Sequence, residues 1–178
     1  LRVFKNNTDF HGASYGTHES YLVPRALGFE RLYESLAPVL VCRTLLCGAG
    51  KVGSEIGERV AFQLSQRADF LTEPFNVETL YRRPLFNTRD EPHADPAKWI
   101  RLHVICGDAN RMQGCTARKM MLVSLALRLL VIGELPRWSL SDPVRAFRAL
   151  STDPSWSFDL ELHGRERASA YVVLETLF

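Results

Sequence analysis

The 178 residues contain no Cys-x-x-Cys pair; Cys42, Cys47, Cys106 and Cys115 sit in apolar or glycine-containing surroundings. No disulfide framework is implied, and the pattern fits the reduced thiols of a cytoplasmic protein. No apolar run reaches the roughly 20 residues that a membrane helix needs, since Met120 to Ile132 is short and broken by Arg128, so that stretch reads as a buried helix. No block of five or six like charges occurs either. With 22 basic and 20 acidic residues the net charge is +2, too little field to draw in nucleic acid, and no nucleic-acid or membrane partner is expected. Repeats, low-complexity segments and a signal peptide are also missing. Leu1 is not a Met and Phe178 falls inside an apolar run, so both ends read as cut.

A hydrophobic share of 46% suffices for one core. Leu1–Asn7 alternates as a strand does, and Ser20–Val23 reads as a second strand entered through the glycine-rich loop that carries His18 and Glu19. Phe29 to Leu46, with Leu32, Leu36, Val39 and Leu40 in helical spacing, predicts a helix bent or shifted near Pro38 and ended by Gly48. Val60–Leu64, Pro84–Asn87 and Leu102–Cys106 are short strand candidates. Thr116–Ile132 is the clearest helix, and Ser141-Asp142-Pro143 caps a short one ending at Leu150. A strand near Phe158–Leu162 and a helix from Arg167 follow. Because strands and helices do not alternate strictly, an antiparallel sheet with helices on one side, an α+β fold, is expected.

Chemistry concentrates in two polar segments. One runs from Asn6-Asn7-Thr8-Asp9 through Gly12 to Tyr21; the other is Asn87-Thr88-Arg89-Asp90-Glu91-Pro92-His93-Ala94-Asp95. Each sets His beside carboxylates, the donors that hold hard cations, and both read as halves of one site. Alternation sends His18 and Ser20 to one face. Glu91-Pro92-His93 places two donors around a stiff φ, as chelation from a turn requires, although an exposed acidic turn is an equal reading of that segment alone. Arg67 and Arg89 can fork onto carboxylate or phosphate, against the plainer reading of ion pairs with Asp69, Asp90 or Glu91. Gly48-Ala49-Gly50-Lys51-Val52-Gly53 has the letters of a dinucleotide fingerprint but too little chain for its helix; as a phosphate loop it has Val52 where Ser or Thr is needed. A flexible loop beside the site is expected instead.

These segments, with Gln63-Leu64-Ser65-Gln66-Arg67-Ala68-Asp69 and Leu102 through Asn110, resemble the Pup ligase and Pup deamidase/depupylase family. Thr8, Ala13, Thr17, Phe62-Gln63-Leu64 and Ala109 are similar to its depupylase branch. The resemblance implies a glutamine synthetase-like fold, a curved and mostly antiparallel sheet with helices on its outer face. Residues 1–178 are then expected to be the central part of a single catalytic domain, with N-terminal and C-terminal parts absent. It further implies hydrolysis of the isopeptide bond between the C-terminal Glu of Pup, or a Pup-like modifier, and a substrate lysine, with ATP and magnesium (Mg2+) as cofactors. His18, Glu91 and His93 are carried over as metal ligands, Glu19 and Ser20 as nucleotide-binding, and Arg67 and Arg89 as binding the substrate carboxylate or phosphates.

The family's Glu-x-Glu strand and catalytic Asp have no counterpart here, so the catalytic residue is unassigned and the piece alone is expected to be inactive, completed by the rest of the enzyme or by a second chain. Ser20 replaces a usual Asn, and Arg111 to Lys119 diverges. Two other readings remain: an ATP-consuming ligase that joins a γ-carboxylate to lysine, and an inactive Pup-binding remnant.

Overall fold

Alternation along two paired strands sets the architecture, since each buries one row of side chains and exposes the other. The computed structural model describes residues 1–178 apart from Val3, Glu58 and the side chain of Arg165. Its elements are β1 (Thr17–Pro24), α1 (Phe29–Cys42), α2 (Thr44–Cys47), β2 (Lys51–Val52), β3 (Phe62–Gln63), β4 (Leu71–Asn76), β5 (Arg83–Asn87), β6 (Trp99–Gly107), α3 (Gln113–Ile132), α4 (Pro143–Thr152), β7 (Asp159–Glu161), β8 (Arg167–Ser169) and α5 (Ala170–Glu175). The main sheet has the order β1-β6-β5-β4, while β2–β3 and β7–β8 are separate ribbons. In the main sheet β1–β6 and β5–β6 are antiparallel and β4–β5 is parallel, so the sheet is mostly antiparallel as expected. The parallel pair is reached through the short segment 77–82, which when extended covers about 3.3–3.6 Å per residue and so spans back along a strand this short.

The helices line one face. Leu32, Leu36, Val39 and Leu40 form the buried stripe of α1, packed in one core with Val23, Phe86, Leu102 and Val104 of the sheet and Phe147, Val173 and Leu174 of α4 and α5. Each fully buried Leu contributes about 1.5–3 kcal/mol. Asp142 accepts from the N–H groups of Val144 and Arg145 at 3.0 Å and starts α4, as Ser-Asp-Pro predicted.

Where the helix layer meets the ends of β1 and β6, the core is charged. Glu19 points inward and takes both Arg43 nitrogens at 2.8 Å and the Tyr21 hydroxyl at 2.7 Å. Lys119 of α3, 1% exposed, donates to Thr17 Oγ1 at 2.9 Å and to the Asp108 carbonyl. Gly107 leaves room for this layer: a Cβ there would lie 2.8 Å from Glu19 Oε1 and 3.2 Å from both Arg43 Nη2 and the Lys119 stem. β6 carries a bulge here, since the pairing moves from Glu19–Val104 to Thr17–Gly107.

Several expectations are corrected. Among its described residues the segment 1–7 forms no strand; it docks through side chains, Asn7 bonding reciprocally with the Ala109 backbone and Lys5 donating to the Asn110 carbonyl. The first long helix runs through Pro38 and breaks at Arg43, the residue whose side chain turns in to Glu19. β4 was missed because Pro74 and Glu73 weaken its pattern, yet an edge strand tolerates proline. Val60–Leu64 pairs only at Phe62–Gln63, and in the β2 ribbon rather than the main sheet. Arg167–Ser169 is a strand against β7, and the last helix starts at Ala170. Nor is α3 buried all round, because Met121 and Ile132 are 68% and 67% exposed.

Glu19→Gln removes the negative half of a buried pair and leaves a guanidinium facing a neutral amide. The variant is expected to lose about 3–5 kcal/mol in urea unfolding, and a loss below about 1 kcal/mol would show that the pair is not structural.

Candidate functional site

Opposite the helices, one rung of the sheet reads Ser20, His103 and Asn87 across β1, β6 and β5. His18 stands beside it with Nδ1 3.1 Å from His103 Nε2, and His103 Nδ1 is 3.3 Å from Asn87 Oδ1. The polarity of this row follows from Asn87. Its Nδ2 donates to the carbonyls of Asn76 and Val77, and its Oδ1 accepts from the Arg89 N–H, so Oδ1 is the atom turned to His103. His103 Nδ1 therefore carries the proton and Nε2 the lone pair, which in turn requires His18 to donate from Nδ1. The His18 Nε2 lone pair is left facing outward from an exposed ring.

Both rings are held neutral. Burial lowers the pKa of His103 to about 4, with the cations Arg101 and Arg89 and the neighbouring His18 adding to the shift. Burial, Arg67 and Arg101 lower that of His18.

Around the imidazoles lie three guanidinium groups. Arg101 donates to Ser20 Oγ at 3.1 Å and lies 3.8 Å from Glu91, which is also 3.9 Å from Arg89. Arg67 is 2% exposed; it donates to Ser14 Oγ at 3.1 Å and to the Ile105 carbonyl, and has no carboxylate within salt-bridge distance among the described residues. Gly16 lies flat on it with φ +82°, and a Cβ there would fall 2.4 Å from the guanidinium. Three cations, two neutral imidazoles and one loosely held carboxylate suit a ligand carrying several anionic oxygens.

Of the residues expected from sequence, His18, Ser20, Arg89 and Glu91 reach this face, and Arg67 closes one end of it. Glu19 does not: it is buried on the opposite face with its oxygens bonded to Arg43 and Tyr21, so it is turned away from a nucleotide on this face. His93 is exposed, in a left-handed turn with φ +51°. Among the described residues, no three His, Cys, Asp or Glu side chains converge on a metal position, so His18, Glu91 and His93 are not assembled as a ligand set. This chain offers a hard cation the His18 Nε2 lone pair and the Glu91 carboxylate, short of the six or so ligands that Mg2+ takes. His103 and Arg101 were not singled out, although a His between Leu102 and Val104 on a strand was the available signal.

The glycine loop is pinned rather than flexible. Lys51 is buried and bonds Asp69 at 2.8 Å and Glu55 at 2.7 Å, while Gln63 Nε2 holds Asp69 from the other side at 2.9 Å. Its ammonium is not free for phosphate. Among the described residues no helix is long and apolar enough to cross a membrane.

The whole of residues 1–178 matches the family described as Pup-ligase protein. The chain belongs to that family. It is 46% identical over 172 residues to a depupylase of Acidothermus cellulolyticus, covering 96% of this chain and 34% of the relative. To a Pup–protein ligase of Gordonia bronchialis it is also 46% identical, over 171 residues, covering 96% of this chain and 38% of the relative. Pup-ligase family structures share the fold. The Pup ligase PafA in complex with ADP superposes with TM-score 0.83 at 35% identity, over 99% of this chain and 39% of that one. PafA in complex with Pup gives TM-score 0.84 at 36% identity, over 98% and 35%. The architecture is thus the glutamine synthetase-like α+β fold of these enzymes, and the chain spans between a third and two fifths of their length.

Two outcomes are expected. Nitrogen-15 NMR at pH 7 finds both His18 and His103 as neutral Nδ1–H tautomers, and an Nε2–H His103 contradicts the polarity read from Asn87. Lys51→Met strands a buried carboxylate whose pKa its hydrogen-bond donors and the ammonium hold below the ordinary value. A depressed Asp stabilises above its unfolded pKa near 4 and loses that contribution as pH falls, so the variant is destabilised by about 3–5 kcal/mol at pH 7 and its disadvantage shrinks below pH 4 in acid titration.

Proposed function

We propose that this chain supplies the middle part of a single catalytic domain that binds ATP with Mg2+ and acts on the C-terminal Glu of Pup or a Pup-like protein, as a depupylase. The observation that carries the reading is the open face of β1, β6 and β5, where His18, His103, Arg101 and Arg89 stand together on a fold shared with an ADP-bound relative. In this reading Arg101 and Arg89 receive phosphate oxygens, and Ser20, tied to Arg101, borders the nucleotide. His18 Nε2 and Glu91 are the groups this chain offers the metal. Bound Mg2+ supplies charge stabilisation for a polarised carbonyl. In the same reading Arg67, buried beneath Gly16 and without a carboxylate partner among the described residues, supplies positive charge toward the carboxylate of the C-terminal Glu.

The chemistry is amide hydrolysis, in which cations stabilise the developing oxyanion while water or a carboxylate attacks. Hydrolase is preferred on Thr8, Ala13, Thr17, Phe62–Leu64 and Ala109. A ligase that forms an acyl phosphate is the second reading, favoured by the equal identity to Pup–protein ligases.

Incubating the full-length protein with ATP and a Pup–lysine isopeptide decides between them. Cleavage with ATP intact is the expected result, stoichiometric ADP with a new isopeptide bond selects the ligase, and Pup binding without either reaction selects the inactive remnant. Arg101→Ala is expected to weaken ADP binding at least tenfold in calorimetry; an unchanged affinity removes the nucleotide from this face.

A further inference from the structure

Two residues in the loop after α4 are held in left-handed backbone although neither is glycine: Trp156 has φ +60° and Phe158 φ +51°. A large aromatic residue adopts that region only at a cost, because its Cβ crowds the following carbonyl oxygen. Asp153 holds the turn, its Oδ1 accepting from the Ser155 N–H at 2.8 Å and its Oδ2 from the Phe158 N–H at 2.7 Å. The two rings are sent different ways. Phe158 enters the core, edge-on to Tyr171, whereas Trp156 is left 60% exposed. An indole held mostly in water buries little in return for the strain, and strain of this kind gathers where a ligand is clamped.

A second observation is what the indole faces. Trp156 lines a cavity of about 510 Å³ between this loop and the β2–β3 ribbon, and Phe62 of β3, 45% exposed, lines it too, with Leu64 and Pro154. The volume falls in the range of about 300–1,000 Å³ that small-molecule sites occupy, more than one anchoring side chain of a partner protein would fill. Among the described residues the lining has one guanidinium, Arg59, and one carboxylate, Asp153, so their charges balance. None of the residues named on the open face of the main sheet belongs to it.

We infer that this cavity binds a neutral, flat aromatic molecule that stacks on the Trp156 indole and lies against Phe62. Two exposed aromatic walls favour a ring over an aliphatic body of the same size, because ring pairs gain beyond the area they bury. A balanced lining gives a charged ligand no counter-charge in exchange for its water. The inference is independent of the nucleotide and Pup reading, whose residues lie elsewhere.

The test is a calorimetric titration of the full-length protein with 2-naphthamide, alongside its charged counterpart 2-naphthoate and its saturated counterpart decahydro-2-naphthamide. Trp156→Asn removes the indole and installs a side chain that tolerates positive φ. The variant is expected to melt no lower than the unmodified protein, to lose at least tenfold in 2-naphthamide affinity, and to keep its ADP affinity. Should it fold poorly, Phe62→Ser serves as the second variant, with a several-fold loss expected. Absence of 2-naphthamide binding to the unmodified protein overturns the inference, as does unchanged affinity in the variant that folds. Either counterpart binding as tightly as 2-naphthamide overturns it too, and so does displacement of 2-naphthamide by ADP. Absence of ADP binding to the unmodified protein sinks the nucleotide reading and leaves the naphthamide titration to decide this one.

Discussion

The buried pair between Glu19 and Arg43 is the constraint on which the rest of the arrangement depends. A carboxylate and a guanidinium removed from water are tolerable only when each oxygen and nitrogen facing inward has a partner, and here Tyr21, Arg43 and the Lys119 carbonyl complete the set. That requirement fixes three things together. It breaks the first helix at Arg43, it demands a residue without a side chain at position 107, and it sets the parity of β1, because turning Glu19 inward turns His18 and Ser20 outward.

The open face has an opposite electrostatic character. Arg67 is a cation with no carboxylate within salt-bridge distance among the described residues, held by hydroxyl and carbonyl oxygens that do not neutralise it. Arg101 and Arg89 share one exposed carboxylate, Glu91. The imidazoles between them stay neutral first because burial penalises a charged ring and then because a proton there would meet the neighbouring arginines. A surface of this kind is prepared for anionic oxygens, and it leaves His18 with a lone pair rather than a positive charge.

Much of this was legible from sequence where local rules govern. The stripe Leu32, Leu36, Val39, Leu40 and the Asp142 cap are read directly from spacing, and the paired polar segments with the flanking matches were specific enough to indicate the family. The errors share a cause. Glu19 was carried over to the nucleotide from the family resemblance, although alternation already placed it opposite Ser20. Lys51 looked like part of a mobile loop because its partners Glu55 and Asp69 are buried with it only after β2 and β3 pair. β4 was lost because an edge strand need not show a clean pattern.

The sequence by itself determined the helical stripes, the caps, the strand alternation and the family, since each depends on residues near one another in the chain or on a motif of adjacent letters. Only the tertiary structure decided which polar groups are partners and which remain free. His103 becomes significant through the register that brings it between His18 and Asn87, 85 and 16 residues away. Arg43 meets Glu19 from the end of α1, 24 residues away, and the Asn110 amide meets the Cys47 carbonyl from 63 residues away. Local spacing sets what a segment prefers; the long-range cost of burying unpaired charge and unsatisfied hydrogen-bonding groups selects what it finally faces.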